Sequence, residues 1–126
     1  MSERRGDYRV QLGRRGEQLA ADYLQRSGYR MIERNVRRRE GEIDLVALHD
    51  ETLVFVEVKL RNPGPLGGAV ESLTATKQRR LRELAGAYAA EHPELPANLR
   101  IDVVAIDLAP DGGVDSVQHL ESAIEG

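Results

Sequence analysis

One stretch, residues 41–61, restricts the fold more than any other: GEIDLVALHDETLVFVEVKLR. Two apolar runs of strand length lie on either side of Asp50 and Glu51, a pattern that predicts a β-hairpin turning at these two residues. A turn there places Leu48 opposite Leu53 and continues with apolar residues facing one another. The hydrophobic pattern thereby fixes the register, because a slip of one residue would turn every side chain to the other face.

The same register brings charged residues together at the open end of the hairpin. Asp44 falls opposite Glu57, and Glu42 falls opposite Lys59. Directly opposed side chains have Cβ atoms about 4.5 to 5.5 Å apart, so the two carboxylates repel each other unless a cation lies between them. Mg²⁺ or Mn²⁺ would suit this pair, because both ions bind carboxylate oxygens.

Lys59 lies on the same strand face as Glu57, since strand side chains alternate between faces. It would therefore lie beside the scissile phosphate or a water that the cation activates, as phosphodiester hydrolysis requires. We predict Asp44, Glu57 and Lys59 as catalytic residues, with Asp44 and Glu57 as metal ligands. One alternative stays open, in which Lys59 forms an ordinary exposed ion pair with Glu42 or Glu57.

The rest of the sequence predicts a single α/β domain over residues 1–126. The element order is helix, three strands, helix and one or two strands, which favours a mixed sheet flanked by helices. Residues 1–12 are expected to be flexible, and residues 61–72, rich in Gly and Pro, are expected to form a mobile loop beside the charged strand end. The predicted elements are a helix at 13–27, a strand at 29–36, the hairpin strands, a helix capped by Ser72 or Thr74 and ending near Glu91, and strands at 99–107 and 114–120.

Composition excludes several classes of protein and of site. The chain has no cysteine, which excludes disulfides, thiolate zinc sites and a cysteine nucleophile. Its three histidines share no common spacing, so a histidine metal site is not expected. No segment reaches the roughly eighteen apolar residues of a membrane-spanning helix, so we expect no membrane partner and a cytoplasmic location.

Charge is divided unevenly along the chain. Residues 1–39 carry eleven Arg against five acidic residues, whereas residues 83–126 carry one Arg against nine. Basic clusters upstream of residue 83 favour contact with a polyanion, although ordinary solvated charges would give the same pattern. Lys77 falls in the first turn of the second helix, where phosphates bind, or is simply an exposed lysine. The residues predicted to contact nucleic acid are Arg14, Arg15, Arg61, Lys77, Gln78 and Arg80.

Several segments of the chain resemble a known family. Asp44, followed by Glu57-Val58-Lys59 at a strand end, resembles the D…(D/E)xK signature of the restriction-endonuclease-like superfamily, whose core is a helix, three strands, a helix and a strand. Over residues 13–108 the chain resembles the YraN family of small bacterial proteins, which is related to archaeal Holliday junction resolvases. The segments that carry this resemblance are GRRGEQLAADYL, GEIDLVA, FVEVKLR, TATKQRRL and RIDVVAI.

The resemblance implies roles for individual residues and a divalent metal cofactor, Mg²⁺ or Mn²⁺. Glu17 would support the metal site from the first helix. Asp44 and Glu57 would bind the metal, with the Val58 carbonyl as a further ligand. Lys59 would orient the attacking water or stabilise charge on the transition state.

Three functions fit the sequence. The first is a metal-dependent nuclease that acts on DNA, including branched DNA. The second is a non-catalytic nucleic-acid-binding accessory protein with a nuclease-like fold, and the third is a protein-interaction domain that uses the acidic C-terminal third. DNA is a better expectation than RNA as partner, and a homodimer would favour a resolvase, because resolvases cut two strands.

Overall fold

The computed structural model describes residues 2–61 and 74–124, with residues 2–12 as helical backbone alone. It contains two helices and five strands, in the predicted order. The helices are α1 (Ser2–Arg26) and α2 (Ala75–Glu91). The strands are β1 (Arg30–Arg38), β2 (Gly41–His49), β3 (Thr52–Arg61), β4 (Asn98–Leu108) and β5 (Val114–Ile124).

The five strands form one mixed sheet in sequence order, β1-β2-β3-β4-β5. Strands β3 and β4 are parallel and every other neighbouring pair is antiparallel. A parallel pair needs a crossover, and α2 supplies it between β3 and β4. The predicted α/β fold, with a mixed sheet flanked by helices, is confirmed.

Each face of the sheet is covered by one helix. This explains why the hairpin strands carry apolar side chains on both of their faces. Val54 and Val56 of β3 belong to the core beneath α1. Leu53 and Phe55 belong to the core beneath α2. Because Glu57 and Lys59 share the parity of Phe55, the charged end of β3 points to the α2 face.

The boundaries of several elements differ from the predictions, most of all those of α1 and β5. Helix α1 begins at Ser2 rather than near residue 13. The prediction missed residues 2–12 because they lack an apolar stripe. Their Arg, Gln and Glu residues nevertheless favour a helix. Strand β3 continues to Arg61, and β5 continues to Ile124, whose side chain is buried beneath α2.

The predicted mobile loop lies outside the described residues from residue 62 onward, and Ser72 lies there too. Ser72 and Thr74 were the two predicted N-cap residues of α2, and Thr74 is the N-cap. Its side chain accepts a hydrogen bond from the Lys77 N–H at 3.1 Å. Neither described helix has the length and apolar character to cross a membrane.

Candidate active site

The β2–β3 ladder has the predicted register but ends before the charged residues. Backbone pairing runs from His49–Thr52 to Leu45–Val56. The turn at residues 50 and 51 is therefore confirmed, and Asp50 adopts φ of 54°, a conformation that Asp tolerates better than most residues.

Neither charged pair predicted for the hairpin is a ladder pair, which corrects that part of the prediction. The Asp44 carboxylate accepts a hydrogen bond from the Val58 N–H at 2.8 Å. A side chain, rather than a carbonyl of β2, thus satisfies this amide. Glu42 is aligned with Arg37 of β1 instead, and their charged atoms are 3.5 Å apart. The two strands separate at Asp44 and leave a cleft between them.

The Val58 backbone faces this cleft. In a strand the N–H and C=O of one residue point to the same side, and the Val58 N–H points to Asp44. Its carbonyl is therefore expected on that side as well, in reach of an ion held by Asp44. Its role as a ligand stays a prediction.

Three carboxylates converge at the cleft. Ligand atoms of Glu17, Glu42 and Asp44 all lie within 4.8 Å of one another. Helix α1 brings Glu17 there because its backbone at Gly16 packs against Val58 and Leu60: a Cβ added to Gly16 would lie 3.6 Å from Leu60 Cδ1. The structure thus brings Asp44 together with Glu17, which the resemblance had implied.

Glu42 is the residue that the sequence analysis missed. The predicted register assigned it to Lys59, whereas the structure places it in the group of three carboxylates. The available signal was its parity with Asp44, two residues away on the same strand face.

Glu57 interacts with Asp44 but lies outside the group of three. Its carboxylate is buried, with Oε1 3.8 Å from Lys59 Nζ and 4.0 Å from Lys77 Nζ. Lys59 is therefore beside the predicted catalytic carboxylate, and Lys77 approaches the same atom from α2. The pairing of Lys59 with Glu57 is present, but it is not the exposed surface ion pair of the alternative prediction, because the Glu57 side chain is only 11% exposed.

Burial and like charge perturb both central carboxyl groups. Burial, followed by the charge of Glu57, raises the pKa of Asp44 to about 7, and the Val58 N–H opposes this. Burial also raises the pKa of Glu57, against the lowering effect of Lys59 and Lys77. Such perturbed carboxyl pairs are typical of functional sites.

The cleft beside these carboxyl groups has a volume of about 240 Å³ and carries both signs of charge. Glu42, Asp44 and Glu57 line its acidic side, and Lys77 and Arg80 of α2 line its basic side. An anion and a cation could therefore bind next to each other.

The remaining residues predicted to bind nucleic acid fall in different places. Arg14 and Arg15 are exposed on α1, within one turn of Glu17, and Gln78 is half-buried in α2. Arg61 is held in an ion pair with Asp107. Its guanidinium is thus paired within the protein, and its contact with nucleic acid stays a prediction.

The donor set fits a hard divalent cation. Carboxylate oxygens are the ligands that Mg²⁺ and Mn²⁺ favour, and three of them are already within 4.8 Å of one another. Burial and then the charge of Glu57 raise the pKa of Asp44, and a divalent cation would offset the second of these causes.

Comparison with known proteins identifies the family. The family described as "Uncharacterised protein family UPF0102" matches residues 16–106. The chain belongs to the UPF0102 (YraN) family. The UPF0102 match begins at Gly16 of α1 and ends at Ile106 of β4. The matched residues include every carboxylate of the site.

Individual UPF0102 proteins resemble this chain over most of its length. The UPF0102 protein of Clavibacter michiganensis is 50% identical over 112 residues, which are 89% of this chain and 94% of that protein. UPF0102 protein STH1475 of Symbiobacterium thermophilum is 52% identical over 101 residues, 80% of this chain and 86% of its own length.

A solved structure was also found. Pyrococcus furiosus SfsA, in complex with Ca²⁺, aligns with 93% of this chain at 17% sequence identity and a TM-score of 0.41. The alignment spans 65% of the SfsA chain.

Proposed function

We propose that this protein is a divalent-metal-dependent nuclease that hydrolyses phosphodiester bonds, with DNA as its substrate. One observation carries the proposal: the oxygen ligands of Glu17, Glu42 and Asp44 converge beside Glu57 and Lys59, where the β2–β3 ladder ends. An ordinary structural ion pair would not need three further carboxylates with ligand atoms within 4.8 Å of one another.

Each residue of the site has a role in this proposal. Glu17, Glu42 and Asp44 would hold Mg²⁺ or Mn²⁺, joined by Glu57 and the Val58 carbonyl. A cation bound there would polarise a phosphate oxygen and lower the pKa of a bound water. Lys59, fixed next to Glu57 at 3.8 Å, would donate hydrogen bonds to a phosphate oxygen and stabilise charge that develops during attack.

The choice of nucleic acid as substrate rests on charge. Lys77 and Arg80 line the cleft opposite the carboxylates, and Arg14 and Arg15 are exposed on α1 near Glu17. Such a surface would contact phosphates on either side of the scissile bond and give salt-dependent binding. A cytoplasmic location and a homodimer that cuts both strands of branched DNA are parts of the same proposal.

The test is cleavage by purified full-length protein with Mg²⁺ or Mn²⁺ on linear duplex, single-stranded and four-way-junction DNA. We expect cleavage of at least one substrate, with loss of more than about 100-fold in Asp44→Asn and Lys59→Ala, as when a charged stabilising group is removed from an active site. EDTA should abolish the activity.

The matched control is Asp50→Asn, which makes the same chemical change in the exposed turn at the other end of the hairpin. It should leave cleavage unchanged. Wild-type protein that cuts none of the substrates, or Asp44→Asn that cuts like Asp50→Asn, would refute catalysis. Salt-sensitive DNA binding that survives both substitutions would then favour the non-catalytic accessory function.

A further inference from the structure

The chain contains only two lysines, and both approach the same carboxylate oxygen. Sixteen of its eighteen basic residues are Arg, whereas Lys59 and Lys77 are its lysines. Their Nζ atoms lie 3.8 and 4.0 Å from Glu57 Oε1. A strand and a helix thus each bring one compact, flexible cation to one buried anion.

The two lysines differ in how freely they can move. The Lys59 side chain is 20% exposed and lies on a central strand, whereas the Lys77 side chain is 47% exposed and lies in the first turn of α2. The first turn of α2 carries no acidic residue, and a cation there is opposed by the helix dipole. Glu57 of β3 therefore stabilises the charge of Lys77, which the dipole of α2 disfavours.

The contact between Lys77 and Glu57 conflicts with metal binding at the carboxylates. A divalent cation held by Asp44 and Glu57 would repel Lys77 Nζ. It would also neutralise part of the Glu57 charge that attracts Lys77 in the metal-free protein. Lys77 lines the cleft together with Arg80, so its flexible stem can carry Nζ from Glu57 to an anion in the cleft.

From this geometry we infer that Lys77 leaves Glu57 when the cation binds and then binds a backbone phosphate of the nucleic acid. The inference deepens the proposed function and rests on it. Cation and nucleic acid then bind with positive coupling, and by linkage each raises the affinity for the other equally. In the metal-free protein Lys77 stays with Glu57 and competes with the cation.

Two affinities test this role in the full-length protein: that for Mn²⁺ without DNA, by calorimetry, and that for duplex DNA with and without Ca²⁺, on DNA checked to be intact. Lys77→Met should bind Mn²⁺ roughly 3- to 10-fold more tightly than wild type, because a competing charge is gone. Ca²⁺ should raise the DNA affinity of wild type by roughly 5-fold or more, and that of Lys77→Met by less than about 2-fold.

Arg79→Met is the matched control, because it removes one exposed positive charge from the same turn of α2. It should weaken DNA binding slightly and leave the Mn²⁺ affinity and the Ca²⁺ effect unchanged. Lys77→Arg should restore part of the Ca²⁺ effect, which a purely structural role would not predict.

The outcomes separate this inference from the proposed function. Wild type that binds Mn²⁺ and cuts DNA, with Lys77→Met equal to it in Mn²⁺ affinity and in the Ca²⁺ effect, would overturn the role of Lys77 alone. Wild type that binds no Mn²⁺ would overturn the nuclease proposal and the inference together. Weaker Mn²⁺ binding by Lys77→Met than by wild type would contradict the proposed competition between Lys77 and the cation for Glu57.

Discussion

Asp44 is buried at a place where an ionised carboxylate is costly. The Val58 N–H satisfies one of its oxygens at 2.8 Å, but Glu57, Glu17 and Glu42 all add negative charge nearby. Without a cation, burial and this repulsion favour the protonated carboxyl. The local charge therefore favours the binding of a cation, as the proposed function requires.

The raised pKa of Asp44 predicts how the stability of the metal-free protein depends on pH. The folded chain keeps this proton up to about pH 7, whereas an unperturbed Asp loses it near 3.8. The folded state thus holds more protons between these values, and the free energy of unfolding contributed by Asp44 falls as pH rises from about 4 to about 7. Asp44→Asn should be more stable than wild type above pH 7, by up to about 4 kcal/mol.

Urea denaturation with EDTA at pH 4, 5.5, 7 and 8 measures this difference. The gap between Asp44→Asn and wild type should open with rising pH and level off above pH 7. Asp50→Asn, exposed in the turn, should show no such trend. A gap that stays constant with pH would mean that the carboxyl ionises at its usual pKa.

The sequence revealed most of these site residues through strand periodicity, although the β2–β3 ladder itself ends before them. Period-two alternation was enough to group Asp44 with Glu57 and Lys59. It failed for Glu42, because the Asp44 side chain takes the Val58 N–H and ends the ladder. A side chain that replaces a backbone partner leaves no trace in hydrophobic periodicity.

Among the elements, β4 and β5 carry a second polar cluster that the sequence pattern did not predict. Asp102 of β4 is fully buried and accepts hydrogen bonds from Arg100 at 2.9 and 3.0 Å. Its carboxylate also lies 2.8 Å from His119 Nε2 and accepts from the Ser122 N–H of β5 at 2.9 Å. Among the partners of Asp102, His119 and Ser122 are distant from it in sequence, and the pairing of β4 with β5 brings them to it.

This cluster should stabilise the β4–β5 pair. Asp102→Ala would leave the buried Arg100 guanidinium and the His119 ring without their acceptor, and should lower the free energy of unfolding by about 3 to 5 kcal/mol, measured by urea denaturation. Asp107→Ala, on the same strand, breaks a more exposed ion pair with Arg61 and should cost about 1 kcal/mol. Equal losses would show that the buried cluster adds nothing beyond an ordinary ion pair.

At the scale of the whole molecule, the site draws on every layer of the fold. Glu17 comes from α1, Lys77 and Arg80 from α2, and the remaining groups from the hairpin between them. The order of elements followed from periodicity and turn residues, because burial on both sheet faces gives long apolar strands. The distances across layers depend on packing that a single sequence does not display.

Because α1, β2 and β3 would supply the proposed ligands, cation binding should stabilise the whole domain. At a free cation concentration about 100 times the dissociation constant, wild type should gain about 2.7 kcal/mol, or roughly 6 to 15 °C in Tm for a chain of this size. Asp44→Asn should gain almost nothing, Glu42→Gln should need a higher Mn²⁺ concentration for the same gain, and Asp50→Asn should match wild type. Thermal unfolding across an Mn²⁺ titration at pH 8 measures all four. If Glu42→Gln followed the wild-type titration, Glu42 would lie near the ion without binding it, and the donor set would shift to Glu17, Asp44 and Glu57.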